Sequence, residues 1–217
     1  MWDLHYAPVR GMKPEYPIAA VYHNTAPDPT SPWALPGQYT VTLTVNGKSY
    51  QQPLSVSMDP RVKVAPADLA QQLKASQPVY EGLVSTSAAM AQMKTVRAQL
   101  KNLRQQSGAA SLAGAIDRLD QKIQGLQGET ARPTPGVEPT PSFTILRGKL
   151  TDLFRVLQGV DAAPTTQAVA AGSQLQQMQT SLMESWKQIV SQDIRSLNQQ
   201  LRNSNLPQIS AEAPDAR

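Results

Sequence analysis

Residues 38–47 read Gln-Tyr-Thr-Val-Thr-Leu-Thr-Val-Asn-Gly, and this stretch decides how the first part of the chain folds. Its odd-numbered positions from Tyr39 to Val45 are apolar and alternate with polar residues, mostly threonines, which is the two-residue period of a β-strand. Asn46-Gly47 follows at once, and this pair favours a tight hairpin turn because both positions tolerate positive φ angles. The stretch therefore predicts a β-hairpin whose return strand covers residues 50–56, with Pro53 confining part of it to a sheet edge.

Two weaker strand candidates lie upstream, at residues 2–6 and 18–22. Short strands between turn signals are typical of immunoglobulin- and fibronectin-like β-sandwiches, which normally need about seven strands. We therefore expect residues 1–62 to form a partial antiparallel sandwich of this type. Such a half-sandwich would have an unpaired edge and an exposed apolar face, so we expect self-association of the chain or poor order over residues 1–35.

The remainder of the chain predicts an antiparallel bundle of about four helices over residues 63–207, which makes the fold class α+β. Apolar residues recur with helical spacing, and a kink is expected at Pro78 because proline removes a backbone donor. Residues 131–142 contain four prolines and predict an extended connector, and residues 208–217 predict a disordered tail. The four predicted helices lie around residues 66–106, 112–126, 146–157 and 165–204.

The composition excludes several kinds of chemistry. The chain has no cysteine, which excludes thiol nucleophiles and cysteine-based metal sites, and its two histidines are too few for a histidine cluster. It contains no phosphate-binding glycine motif, no zinc-protease motif and no nucleophile elbow. We therefore predict no catalytic residue, no cofactor and no metal ligand. No apolar run approaches about 18 residues, so no membrane span is predicted.

The positive charge of the chain comes from one region. The net charge is +4, and residues 63–106 contain six basic and two acidic residues. Four of these basic residues recur at helical spacing without interleaved aromatic residues, so nucleic acid is not a predicted partner. The set predicts either a solvated helix face or a surface for an acidic partner. It consists of Lys94, Arg97, Lys101 and Arg104.

Trp33 is a candidate binding residue in the loop 31–36. Exposed tryptophan rings can stack on sugars, which would indicate a carbohydrate-binding role. The alternative is a packing role, in which Trp33 covers the open end of the sandwich and Trp186 fills the core of the bundle.

A resemblance to one protein family rests on several parts of the chain: Trp2-Asp3-Leu4 with Tyr6, the hairpin sequence 36–48, residues 52–54, Met58-Asp59-Pro60-Arg61-Val62, and the closing helix 186–207. Together these parts resemble the C-terminal region of large bacterial proteins described as sortilin-like, BNR-repeat glycosyl hydrolases. His5 stands where that family usually has arginine.

The resemblance implies an accessory region that follows a β-propeller of BNR repeats in a periplasmic or secreted parent protein. No such repeat occurs in this chain, so any hydrolase activity would belong to the propeller. We expect a C-terminal fragment that acts as a non-catalytic scaffold or interaction region, with the propeller as its intramolecular partner. Two alternatives remain: part of a glycoside hydrolase or carbohydrate-binding protein whose active site lies in that propeller, and a helical adaptor that binds an acidic partner.

Overall fold

A computed structural model of the chain describes residues 2–12, 16, 30–128 and 140–212. Within these residues, the chain forms one two-stranded antiparallel sheet, followed by a bundle of helices. The predicted order, with β-structure first and helices second, is confirmed.

The sheet is the predicted hairpin. Strand β1 (Gly37–Val45) pairs with β2 (Lys48–Val56), in a register that sets Val45 opposite Lys48. Asn46 and Gly47 have φ angles of 49° and 77°. Positive φ at both central positions is the geometry of a type I′ turn, whose twist matches that of the two strands. The hairpin prediction and its turn are therefore confirmed.

The predicted immunoglobulin- or fibronectin-like sandwich is not supported, because the described residues form only one layer of two strands. The candidate strand at residues 2–6 makes a single bridge, between His5 and Trp33. Leu4 has a φ angle of 65°, in the left-handed region, which interrupts regular strand geometry. The candidate strand at residues 18–22 lies outside the described residues.

The helical bundle is organised along α1 (Pro66–Arg104), a helix of 39 residues. At 1.5 Å per residue, such a helix is about 58 Å long. It continues as one helix through Pro78. Buried side chains occur along its whole length, from Leu69 to Leu103, so the rest of the bundle has to cover it from end to end.

Helices α2 (Ala113–Gln127) and α3 (Phe143–Gln158) together cover one side of α1. Both run antiparallel to α1. Arg104 and Arg97, in the C-terminal half of α1, contact successive positions of α2 in reverse order, while the beginning of α1 contacts the end of α3. The two short helices therefore lie end to end along the longer one.

The junction between α2 and α3 is closely packed. The Thr144 hydroxyl donates hydrogen bonds to the carbonyl oxygens of Gln127 and Gly128, at 2.9 and 3.3 Å. These oxygens lack helical partners because α2 ends there. Ser142 caps the start of α3 by accepting a hydrogen bond from the amide of Ile145. The two helices thus make one interrupted column.

The fourth helix consists of α4 (Thr166–Gln188), a π-helical turn (Ile189–Ile194) and α5 (Arg195–Asn203). It runs parallel to α1, because its contacts with α1 advance in the same direction along both helices: Gln179 donates to Ser85, and Trp186 donates to Gln92. The four predicted helices are therefore present. Because α2 and α3 lie end to end, the bundle is three helices wide, and the fourth helix runs parallel to α1 where an antiparallel bundle was predicted.

Trp186 is buried in the core of the bundle, as the packing interpretation predicted. Disorder was the expectation for the tail from residue 208, yet residues 208–212 lie on the bundle. Ile209 is buried, and the Asn198 side chain both donates to and accepts from its backbone at 2.8 Å. Residues 213–217, and most of the connector 131–142, lie outside the described residues.

Gly128 provides a test of the junction. Its φ angle is 77°, and a Cβ atom added there would overlap the Cβ and hydroxyl oxygen of Ser142. We expect Gly128→Ala to lower the free energy of unfolding by about 1–3 kcal/mol, because it adds backbone strain and a clash with a buried side chain. Urea unfolding followed by circular dichroism measures this change.

Gly125 is the matched control, since it lies inside α2 with nothing within 4 Å of an added Cβ atom. Gly125→Ala should raise the free energy of unfolding by about 0.5–1 kcal/mol, because alanine has the higher helix propensity. Equal effects of the two substitutions would contradict the closely packed junction.

Candidate interaction site

The hairpin exposes the apolar face that its alternating sequence creates. The odd-numbered positions of β1 and the even-numbered positions of β2 share this face. Near the bundle, its side chains are partly buried, but towards the turn they are open to solvent. The exposed fractions are 51% for Val41, 60% for Leu43, 48% for Val45 and 58% for Tyr50. The opposite face is polar. The distal half of the hairpin therefore presents its apolar side to solvent, and only the half near the bundle is partly covered.

The two long edges of the hairpin differ in their capacity to pair with another strand. In a two-residue hairpin, the pair next to the turn is hydrogen-bonded, and the pairs then alternate. The register therefore directs the backbone groups of Thr40, Thr42 and Thr44 outward, and the described residues offer them no backbone partner. On β2, Pro53 occupies one of the outward positions and has no N–H to donate. The edge of β1 is consequently the open one.

The base of the hairpin is held by aromatic side chains. The indole of Trp2 lies edge-on against the ring of Tyr39, with 5.4 Å between the ring centroids. The Tyr39 hydroxyl donates to the carbonyl of Leu35 at 2.6 Å. These contacts fix the end of the hairpin that lies near the bundle and leave its distal half free.

A buried polar network connects the segment before the hairpin to the bundle. The Gln158 carbonyl oxygen accepts from the backbone N–H of Trp33 at 3.1 Å, and its amide donates to the Ser76 hydroxyl at 2.7 Å. Gln72 donates to the carbonyl oxygens of Leu157, in the last turn of α3, and of Val160, just after it, and both glutamines are buried. Because unpaired buried polar groups are costly, this network sets one position for the Trp33 segment.

Trp33, the predicted sugar-stacking residue, lies at this joint. It is 46% exposed and lines a cavity of about 220 Å³ between the hairpin base and the first turns of α1. Its indole lies against the imidazole of His5, with ring centroids 3.6 Å apart. His5 therefore covers part of the indole, and a sugar ring would have to approach the remaining surface.

The turn between the hairpin and α1 contains a charged pair. The guanidinium of Arg61 donates hydrogen bonds to both carboxylate oxygens of Asp59, and the Arg61 backbone N–H donates to the same carboxylate. The side-chain hydrogen bonds, and to a smaller extent the backbone one, lower the pKa of Asp59, and the side-chain hydrogen bonds raise the pKa of Arg61. Both groups are at the surface, so the pair orders the turn more than it stabilises the fold.

Ion pairs with α2 involve two of the four basic residues predicted on α1. Arg97 donates to Asp120 at 2.7 Å, and this hydrogen bond raises the pKa of Arg97. Arg104 donates to Asp117 at 2.8 Å. The predicted basic surface is therefore partly neutralised within the bundle.

Lys94 and Lys101 are the other two members of the set, and both are exposed. Lys94 lines a separate cleft between α1 and α3, together with Arg10 and Arg147. The sequence interpretation missed these two arginines. The recurrence of polar side chains at residues 147, 151 and 155, four apart on one helix face, is the signal that could have found this side of the cleft.

The comparisons with known proteins add no family assignment: no family model, curated protein or solved structure matches the chain. Among the described residues, no group of three or more acidic, histidine or cysteine side chains could hold a metal ion. In the same part of the chain, no helix combines the length and apolar character needed to cross a membrane.

Replacing Gln158 tests the polar network at the joint. Gln158→Leu removes the acceptor for the Trp33 N–H, which is part-buried. We expect the free energy of unfolding to fall by about 1–3 kcal/mol, the usual effect of leaving such a group unpaired. Urea unfolding measures it. Gln174→Leu, at an exposed position of α4, is the control and should change stability by less than about 0.5 kcal/mol. A similar loss in both variants would show that the network is not responsible.

The Asp59–Arg61 pair has a pH signature. Because the folded-state pKa of Asp59 is lowered, the interaction is complete above the ordinary carboxyl pKa and is lost as pH falls through the lowered value. Arg61→Ala should raise the pKa of Asp59 towards its ordinary value of 3.8. An NMR titration of the side-chain carboxyl carbon measures the change, with Lys63→Ala as the control. An unchanged Asp59 pKa in Arg61→Ala would contradict the assignment of the shift to Arg61.

Proposed function

We propose that this chain is a non-catalytic interaction module that accepts an extended β-strand of a partner protein along the edge of β1. One observation carries the proposal: the open edge of β1 borders the exposed apolar face of the hairpin. In strand addition, backbone hydrogen bonds supply affinity, and contacts with alternate side chains supply specificity. The hairpin offers both on one small element.

The proposed partner strand has a specific pattern. Its backbone would pair with the outward groups of Thr40, Thr42 and Thr44. Side chains of a strand alternate between the two faces of a sheet, so every second residue of the partner would extend the face that contains Val41 and Leu43. An apolar residue at those positions and a polar residue between them would complete a three-stranded sheet with one apolar face.

The resemblance to the accessory region of sortilin-like BNR-repeat proteins supports the same role. In such a parent protein, the β-propeller would supply the partner strand within the same chain. Where the propeller is absent, a second copy of this chain would supply it. The alternative functions, as part of a carbohydrate-active protein or as an adaptor for an acidic partner, would use Trp33 or the basic residues of α1 instead of the hairpin.

The difference between the two edges allows a matched test. Thr42 and Gln51 lie directly opposite each other, and the backbone N–H and C=O groups of both point away from the hairpin. Thr42→Pro blocks the edge of β1, whereas Gln51→Pro blocks the edge of β2, which already contains Pro53. We expect Thr42→Pro to weaken binding of a lysine-flanked peptide of alternating valine and threonine by about tenfold or more, through loss of backbone hydrogen bonds. Isothermal titration calorimetry measures the affinity.

Gln51→Pro should bind the peptide as the natural chain does, and circular dichroism should show that both variants keep their helices. Equal weakening in the two variants would show that the peptide does not distinguish the edges. Undiminished binding to Thr42→Pro would contradict strand addition at β1.

A further inference from the structure

A second concave surface lies on the bundle, away from the hairpin. It is a cleft of about 810 Å³ between α1 and α3, with the N-terminal segment around Arg10 and Met12 along one side. This volume falls within the range of protein ligand sites, about 300–1,000 Å³. The cleft is independent of the open edge of β1, because no hairpin residue lines it.

Cations from three separate parts of the chain converge on this cleft. Arg10 comes from the N-terminal segment, Lys94 from α1 and Arg147 from α3. Each of these side chains is exposed, and none has a carboxylate within ion-pair distance in the described residues. By contrast, Arg97 and Arg104 of α1 have aspartate partners on α2. The cleft thus collects positive charge that the bundle does not neutralise.

Among the described residues that line the cleft, Asp152 is the one carboxylate. Asp152 accepts from Arg155 at 3.5 Å, one turn away on the same helix. Asp152 therefore offsets the charge of Arg155, and the excess positive charge comes from Arg10, Lys94 and Arg147. Like charges held around one concavity raise the local concentration of anions.

The dimensions of the cleft indicate the size of its ligand. At 1.5 Å per helical residue, Ser87 to Lys94 on α1 spans about 11 Å and Thr144 to Arg155 on α3 spans about 17 Å, so the two helices line the cleft together over about 11 Å. An extended peptide advances about 3.3 Å per residue, so three or four residues would fill this length. Because the helices are antiparallel, Lys94 and Arg147 lie towards the same end.

The lining also distinguishes between classes of anion. It has the hydroxyl groups of Thr144 and Thr151, the amide of Gln127 and the thioethers of Met12 and Met90, but no aromatic side chain among the described residues. Sites for single-stranded nucleic acid normally use aromatic rings to stack bases. The Thr144 and Thr151 hydroxyls already donate to backbone carbonyl oxygens, so they can accept hydrogen bonds from the N–H groups of a peptide, and the Gln127 side-chain amide can donate to its carbonyl oxygens.

We propose that this cleft binds an acidic peptide segment of a partner protein, three or four residues long, with its carboxylates at Arg10, Lys94 and Arg147. The charge excess, the length of the cleft and its polar lining all favour this ligand. The site differs from the basic set predicted on α1, with which it shares only Lys94.

Charge reversal with matched controls tests the proposal. The full chain is titrated into a fluorescein-labelled Asp-Glu-Asp-Glu peptide at low salt, and fluorescence anisotropy gives the affinity. Lys94→Glu combined with Arg147→Glu should weaken binding by about tenfold or more, because two close charge pairs become repulsive. Lys101→Glu combined with Lys149→Glu makes the same change in net charge outside the cleft, and should weaken binding much less.

Three outcomes would overturn the proposal. The first is equal weakening by both double variants, which would show that only net charge matters. The second is equal affinity for an uncharged control peptide, Asn-Gln-Asn-Gln, and for Asp-Glu-Asp-Glu. The third is tighter binding of an oligothymidine probe than of the acidic peptide. Support requires weaker peptide binding at high salt together with selective loss in the cleft variant, in chains whose thermal unfolding is unchanged.

Discussion

The length of α1 is the constraint on which the rest of the bundle depends. Its buried residues extend over nearly all of its 39 positions, whereas α2 and α3 have 15 and 16 residues. Placed end to end, these two helices cover about 46 Å of the roughly 58 Å of α1. Their junction therefore lies beside the middle of the bundle, where exposed helix ends would be costly. Thr144 avoids this cost by donating hydrogen bonds to the last carbonyl oxygens at the end of α2. Gly128, which has no side chain, allows the close contact with Ser142.

Features that depend on neighbouring residues could be predicted from the sequence. Asn46-Gly47 defines the hairpin turn, and apolar spacing locates each helix. Features that join distant residues could not. The spacing of Arg97 and Arg104 describes one face of α1, but nothing in that spacing identifies Asp120 and Asp117 as their partners. Likewise, the alternation in β1 predicts an apolar face, which is present, but does not state whether a second sheet covers it.

The two proposed binding surfaces differ in physical character. The hairpin offers apolar side chains and backbone groups that no described residue pairs, so its affinity should depend little on salt. The cleft offers charge, so its affinity should fall as salt rises. The part-buried hydrogen bond between Gln158 and the backbone of Trp33 keeps the segment before the hairpin attached to the bundle. One chain could therefore hold two partners, or two parts of one partner, in a defined relation.

The π-helical turn at Ile189–Ile194 keeps the apolar stripe of the fourth helix on the core of the bundle. Its two terminal isoleucines are both buried although they are five positions apart, where a regular α-helix buries residues three or four positions apart. A π turn accommodates one extra residue and so returns the apolar stripe to the core before α5 begins. The extra residue is accommodated within this one turn, since Trp186 before it and Leu197 after it both stay buried in the core.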